Sequence, residues 1–248
     1  MVFRGWLKVS YIEYPGMIST VLFTGGCNFR CPYCYNSELV SLEGPLPYIE
    51  DNHVFEFLQR RKGMVDAVCI TGGEALIHTP DLFPFLESIK QLGFLIKIDT
   101  NGSFYQPFHQ ISQSGLVDLW GIDYKLPFSQ YEKVLGEKWY KNCQSVFNEA
   151  LQNPHQTEIR TTIYPPFHNE KVLLEMAENC YSANHWYWQN FQPQKTLSDE
   201  ARTIPPYSPS LLNQWRDQIN QHIQKDLIII RSNPSLKNSD ERLMNIVE

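Results

Sequence analysis

The sequence predicts an α/β fold, a partial (β/α)6 barrel of parallel strands with outer helices. Two observations carry this. Short β-branched and apolar runs alternate with helical segments in six strand-then-helix units. Such alternation makes a parallel sheet with right-handed crossovers, and a full barrel needs eight units. In addition, each of the first four strands runs into a loop of unusual chemistry, at the strand ends where barrels of this kind place their active sites.

The first strand spans 18–23 and enters a polar, Gly- and Cys-rich loop reaching to about residue 36. The spacing of Val54, Phe55 and Leu58 predicts a helix over 50–62. Strand 67–70 is broken by Thr71-Gly72-Gly73-Glu74, and Pro80 opens a helix over 80–91, since proline suits a first helical turn. Strand 94–98 ends at Asp99-Thr100-Asn101-Gly102, before a weak helix over 104–113. Strand 117–122 leads to Asp123-Tyr124-Lys125 and then to helices over 129–135 and 141–152. Strand 158–163 stops at Tyr164-Pro165-Pro166, and a helix covers 171–180. The sixth strand, 186–191, pairs with a helix over 210–224; Trp186, Trp188 and Phe191 on it read first as strand packing, with stacking on an adenine as the other use open to them. The Pro-, Ser- and Gln-rich stretch 192–209 reads as a surface excursion, 227–230 as a late strand, 232–240 as loop and 241–248 as a loose tail. The expected division is a barrel domain over 1–194 and a C-terminal extension, 195–248, packing on the same domain.

Composition narrows the function classes. Of the 248 residues, 42% are apolar and 19% charged, which describes a globular chain rather than a disordered one. The net charge of −6 lacks the basic excess of a duplex-binding surface, so nucleic acid is disfavoured as a partner. No apolar run approaches the ~20 residues that span a bilayer, and the N-terminus lacks an apolar signal core, so the expected place is the cytoplasm with no membrane partner. Thiols stay reduced there, and a tight cysteine cluster reads as metal-binding or catalytic.

Three of the six cysteines crowd into Cys27-Asn28-Phe29-Arg30-Cys31-Pro32-Tyr33-Cys34. Three thiols in one loop can converge on one inorganic object. An iron–sulfur cubane usually takes four thiolates. With three, one iron keeps an open position, the mark of a reactive rather than a structural site. A zinc site of three cysteines and a distant histidine is the competing reading; His53, the nearest, sits in a predicted helix. Cys69, Cys143 and Cys180 are isolated and read as small buried hydrophobes.

The pattern Cys-x-x-x-Cys-x-aromatic-Cys, with Tyr33 as the aromatic, resembles the signature of the radical-SAM superfamily. The resemblance implies a radical-SAM type of barrel and a [4Fe–4S] cluster on the catalytic, metal-binding Cys27, Cys31 and Cys34, with Tyr33 beside the cofactors. It also implies an open iron chelated by the amino and carboxylate groups of S-adenosyl-L-methionine. Gly72-Gly73-Glu74 resembles the superfamily's GGE element, which contacts the methionine amino group. The two glycines would let a ligand approach the backbone, and the carboxylate would accept a charge-assisted bond. Asp99-Thr100-Asn101-Gly102 is similar to the DTNG element of glycyl-radical activating enzymes, whose Asp and Thr help hold a monovalent cation. Asp123 and Lys125 resemble their D-x-K element, with Lys125 meeting a carboxylate or ribose oxygen and the Gly121 carbonyl facing the cation. Arg160 resembles an arginine that pairs with the cosubstrate, a task that suits its planar fork.

Tyr14-Pro15-Gly16 looks like the D-G-P-G turn of pyruvate formate-lyase activating enzyme. More closely, 10–40 and 158–165 resemble the activating-protein family of anaerobic ribonucleoside-triphosphate reductase. Tyr35 stands where many relatives have His, Glu13 where Asp is common, and no ferredoxin-like cysteine set is inserted. The resemblance implies an oxidoreductase that reductively cleaves S-adenosylmethionine to methionine and a 5′-deoxyadenosyl radical. A flavodoxin or ferredoxin would be its electron donor, and a glycine Cα in a glycyl radical enzyme its target. Two alternatives stand beside it: a radical-SAM enzyme acting on a small molecule, such as one rearranging a nucleoside precursor, and a zinc-stabilised interaction module.

Overall fold

The structure is a computed structural model that describes residues 1–44, 46–135 and 137–231. Its centre is one eight-stranded sheet whose strands lie in chain order. The strands are β1 (Phe3–Ser10), β2 (Ser19–Thr24), β3 (Ala67–Gly72), β4 (Leu95–Thr100), β5 (Leu119–Asp123), β6 (Thr157–Ile163), β7 (Trp186–Asn190) and β8 (Ile228–Arg231). From β2 onward every pairing is parallel; β1 alone runs antiparallel to its neighbour. The helices are α1 (Asp51–Arg60), α2 (Thr79–Gln91), α3 (Tyr105–Ser114), α4 (Phe128–Leu135), α5 (Glu137–Ala150), α6 (Glu170–Asn179), α7 (Asp199–Arg202) and α8 (Pro209–Ile223).

The six expected strand–helix units are present as β2 through β7, and the late strand expected at 227–230 is β8. Two elements differ from expectation. β1 was not foreseen, although Leu7-Lys8-Val9-Ser10 alternates; Arg4, Gly5 and Trp6 blur the pattern before it. Its Arg4 is buried although charged, since its guanidinium donates to the carbonyls of Leu42, Gly44 and Leu46. The stretch 192–209 contains α7, with Ala201 fully buried. The loop and tail expected over 232–248 lie outside the described residues.

The helical side of the sheet is the apolar core. Ile70, Ile98, Ile122, Ile159, Trp186 and Trp188 pack there against Leu82, Phe108, Val146, Met176 and Ile219. Strand alternation sends the intervening residues to the other, concave face. Register places Asp99 beside Gly121, Gly121 beside Glu158, Asp123 beside Arg160 and Gln189 beside Arg231. One face is therefore hydrocarbon and the other charged. A closed barrel of this class fills its interior with branched apolar residues; this interior is built for polar contents.

Candidate active site

A cavity of about 390 Å³ opens on the concave face. Twelve of the thirteen residues singled out from the sequence line it: Cys27, Cys31, Tyr33, Cys34, Gly72, Gly73, Asp99, Thr100, Asn101, Asp123, Lys125 and Arg160. They come from the loop after β2 and from the carboxyl ends of β3, β4, β5 and β6, so chain segments more than a hundred residues apart meet in one space.

The cysteine loop is held by its neighbours' backbones. Gly26 and Cys27 donate N–H bonds to the carbonyls of Leu39 and Val40 (2.7 and 3.1 Å), and Gly73 and Glu74 donate to Thr24 and Gly26 (2.9 and 2.8 Å). The glycines of the second loop exist for this contact. Gly72 has φ +118°, and a β-carbon on it would stand 2.4 Å from the Thr24 nitrogen; one on Gly73 would stand 2.0 Å from the Gly26 oxygen. The space a side chain would take is filled by the end of β2 at Gly72 and by the cysteine loop at Gly73.

Glu74 departs most from expectation. It is 1% exposed and does not line the cavity. Its carboxylate accepts from Leu76 N–H (3.1 Å), the Thr100 hydroxyl (2.7 Å) and Asn101 N–H (2.7 Å). With three donors from the chain on it, the carboxylate pins the loop after β4. Burial pushes its carboxyl up to about 7, against the pull of those three bonds.

Asn101 completes the clamp. Its Nδ2 donates to Asn28 Oδ1 (3.0 Å) and lies 3.8 Å from Cys27 Sγ, while Phe29 N–H points at the same sulfur from 3.4 Å. Donors aimed at a sulfur are suited to a thiolate ligand and tune the metal it holds. Burial pushes Cys27 up to about 11 and raises Cys31 and Cys34 as well. Buried thiols of this kind give up their protons when a cationic metal replaces them. The donor set thus fits an iron–sulfur group: three thiols on one cavity, with N–H partners already aimed at one of them. Among the described residues no three His, Cys, Asp or Glu side chains are grouped to hold a single metal ion.

Tyr33 is buried under Tyr164 (ring centroids 4.9 Å) and Phe167 (5.9 Å), in a small apolar cluster with Phe191. Deeper in the cavity the charges pair. Arg160 bridges Asp99 (2.5 Å) and Asp123 (2.9 Å), and Lys125 Nζ meets Asp123 (2.8 Å). Burial alone would raise both aspartates, yet Arg160 and Lys97 hold Asp99 below the usual range, and Lys125 and Arg160 do so for Asp123. Burial works against the charge of Lys125, but Asp123 outweighs it and holds the ammonium above its ordinary value. The Lys125 backbone is fixed on both sides: its N–H donates to the Tyr131 hydroxyl (2.6 Å) and its carbonyl accepts from His168 Nε2 (2.8 Å).

Sequence reasoning missed Lys97, Glu158 and Arg231, which carry the charge network toward the end of the sheet. The signal was present. Leu-Ile-Lys-Ile-Asp-Thr and Thr-Glu-Ile-Arg-Thr-Thr-Ile each put two charges two residues apart in an otherwise buried strand, hence on one face. Buried charges must find partners.

No helix among the described residues is long and apolar enough to cross a membrane. The profile of the Radical SAM superfamily matches residues 21–177. A Methanocaldococcus jannaschii protein named as a glycyl-radical enzyme activating enzyme is 26% identical over 234 residues, covering 92% of this chain and 95% of its own. The 7-carboxy-7-deazaguanine synthase of Hyperthermus butylicus is 28% identical, covering 74% of this chain and 85% of its own. The pyruvate formate-lyase-activating enzyme of Clostridium pasteurianum is 32% identical, covering 69% and 72%. Among solved structures, a domain of the pyruvate-formate lyase-activating enzyme from Bacteroides vulgatus superposes with a TM-score of 0.54 at 17% identity, covering 67% of this chain and 99% of its own. With thiols, glycine turn and paired charges gathered on one cavity, and with more than half its length matched by one family, the chain belongs to the radical SAM superfamily of enzymes.

Proposed function

We propose that this protein binds a [4Fe–4S] cluster on Cys27, Cys31 and Cys34, cleaves S-adenosylmethionine reductively, and generates a glycyl radical on a partner enzyme. The observation that carries the proposal is the joint placement of the three thiols and the Asp99–Arg160–Asp123–Lys125 charges on one cavity. When bound, the reduced cluster supplies the single electron that breaks the cosubstrate's C5′–S bond, yielding methionine and a 5′-deoxyadenosyl radical.

The chain's own residues do the rest. Gly72 and Gly73 offer main-chain groups to the methionine end, and Glu74, Thr100 and Asn101 hold the wall between them and the cysteine loop. Lys125 and Arg160 are the cations for the cosubstrate's carboxylate or ribose oxygens. Both are pre-oriented by Asp123, so little ordering remains at binding. Tyr33 contributes an apolar wall that keeps water from the reacting carbon. Asp99 Oδ1 is buried without a hydrogen-bond partner, its nearest cation the Lys97 ammonium 3.6 Å away, and the monovalent cation of this reading lies near Asp99. The C-terminal extension belongs to the same unit in this reading, because β8 prolongs the sheet from β7 and α8 packs on α6.

The similarity to named activating enzymes supports a glycyl radical enzyme as the target. The first candidate is an anaerobic ribonucleoside-triphosphate reductase, on the resemblance of 10–40 and 158–165 alone, and a flavodoxin or ferredoxin is the proposed donor. The similarity to a 7-carboxy-7-deazaguanine synthase favours a second reading, in which the hydrogen donor is a small molecule. One experiment separates them. Anaerobically reconstituted protein is assayed for iron, sulfide and 5′-deoxyadenosine, then incubated with the reductase and cosubstrate. A glycyl doublet in electron paramagnetic resonance is expected. Cosubstrate cleavage with no doublet on any glycyl radical enzyme turns the assignment to the small-molecule reading, and protein that never takes up iron overturns both.

A further inference from the structure

The charges on the concave face form one chain that reaches the last strand. Arg231 Nη2 donates to Glu158 Oε1 (2.7 Å), and Glu158 Oε2 accepts from Lys97 Nζ (2.7 Å). Lys97 Nζ stands 3.6 Å from Asp99 Oδ1, and Asp99 Oδ2 pairs with Arg160. Arg160 then meets Asp123, and Asp123 meets Lys125. The signs alternate without a break from β8 to the loop after β5.

We propose that Arg231 is a positioning residue for the cosubstrate site, acting through Glu158 and Lys97 on the Asp99–Arg160 pair. The inference rests on the reading that Arg160 meets the cosubstrate. Lys97 is fully buried; its ammonium donates to the Glu13 carbonyl (2.7 Å) and is shared between two carboxylates, at 2.7 Å from Glu158 and 3.6 Å from Asp99. Where its ammonium sits depends on how much negative charge each carboxylate presents. Glu158 is 4% exposed and divides its two oxygens between Lys97 and Arg231. Removal of the guanidinium leaves a buried carboxylate with one cation, and such a group draws its remaining partner closer. Lys97 then withdraws from Asp99. Asp99 is left to Arg160 alone and holds its guanidinium away from a ligand.

Arg231 itself is steadied from the side. Its guanidinium lies 3.9 Å over the ring of Tyr187, the residue that Arg160 faces across the β6–β7 register. It is the last described residue of β8, so this role makes the C-terminal extension part of the site's electrostatics.

The test is S-adenosylmethionine binding by equilibrium dialysis to anaerobically reconstituted protein, with iron content measured in parallel. Arg231→Gln is expected to bind about tenfold more weakly at unchanged iron content, the size of coupling found within one buried network. Arg231→Lys, which keeps the charge, and the double variant Glu158→Gln/Arg231→Gln, which removes both members of the pair, are expected to recover to within about threefold of wild type. Arg231→Gln that binds like wild type overturns the inference, as does a double variant as weak as the single one. If Arg231→Gln does not fold, Glu158→Gln and the double variant are compared; the inference expects them to bind alike, and a further loss in the double variant overturns it. Wild-type protein that binds no S-adenosylmethionine overturns the underlying reading instead.

Discussion

Asp99 and Gly121 are partners in adjacent strands, and the carboxylate of one occupies the place where the other would carry a side chain. A β-carbon on Gly121 would lie 2.1 Å from Asp99 Oδ1 and 3.4 Å from the Arg160 guanidinium carbon. Glycine is needed here for space, because the register sets the two residues side by side on the concave face.

Gly121→Ala should therefore damage the cosubstrate site while sparing the cluster. The methyl group displaces Asp99 and, through the 2.5 Å pair, Arg160. Affinity for S-adenosylmethionine is expected to fall by at least about tenfold, with an overpacking cost of about 1–3 kcal/mol in stability. Iron and sulfide content should match wild type. Dialysis with the labelled cosubstrate and a metal assay on the same preparation check this; lost iron with intact affinity contradicts it.

Gly73→Ala should do the opposite. Its β-carbon would stand 2.0 Å from a backbone oxygen of Gly26, which has no flexible end to move aside. The turn after β3 must separate from the cysteine loop, breaking the Gly73–Thr24 and Glu74–Gly26 bonds. The expected outcome is a protein that reconstitutes with less iron than wild type, read from iron analysis, because the loop loses two hydrogen bonds worth about 0.5–1.5 kcal/mol each. Full iron incorporation by this variant would show that the turn is not what holds the loop.

His168 gives the fold a dependence on acid. It is 1% exposed, donates from Nε2 to the Lys125 carbonyl and accepts at Nδ1 from Tyr164 N–H (3.0 Å). Burial lowers it from 6.5 to about 4, against those backbone bonds. The folded state thus binds fewer protons than the unfolded state between these values. The contribution is fully present above pH 6.5 and lost as pH falls toward 4. By linkage, the wild-type advantage over His168→Gln should shrink by about 2 kcal/mol between pH 7 and pH 5. Urea unfolding of both proteins at the two pH values measures the difference; a constant gap would mean that the imidazole titrates normally.

Much of this architecture is legible along the chain because it depends on local order. Period-two apolar runs, helical spacing and glycine punctuation locate β2 through β7 and their helices, and the unusual loops fall at their carboxyl ends. The cysteine trio is equally local: three ligands on one short loop need no folding to be recognised as a set. β1 escaped because its alternation is confined to Leu7–Ser10, while its pairing with β2 and the reach of Arg4 to the carbonyls of Leu42, Gly44 and Leu46 exist only in the folded chain.

What the tertiary structure alone decided is which way each polar group faces and what it meets. From the sequence Glu74 is a carboxylate beside two glycines, free to bind an ammonium group; folding surrounds it with three backbone and hydroxyl donors and turns it into a strut. Lys97, Glu158 and Arg231 are scattered over 135 positions of chain, and only parallel register brings them within 2.7 Å of one another in turn. The physical reason is the range of the forces. Backbone propensity and hydrophobic periodicity act over a few residues and are written in order, whereas charge pairing and steric exclusion act through space, and their partners exist only once the sheet has formed.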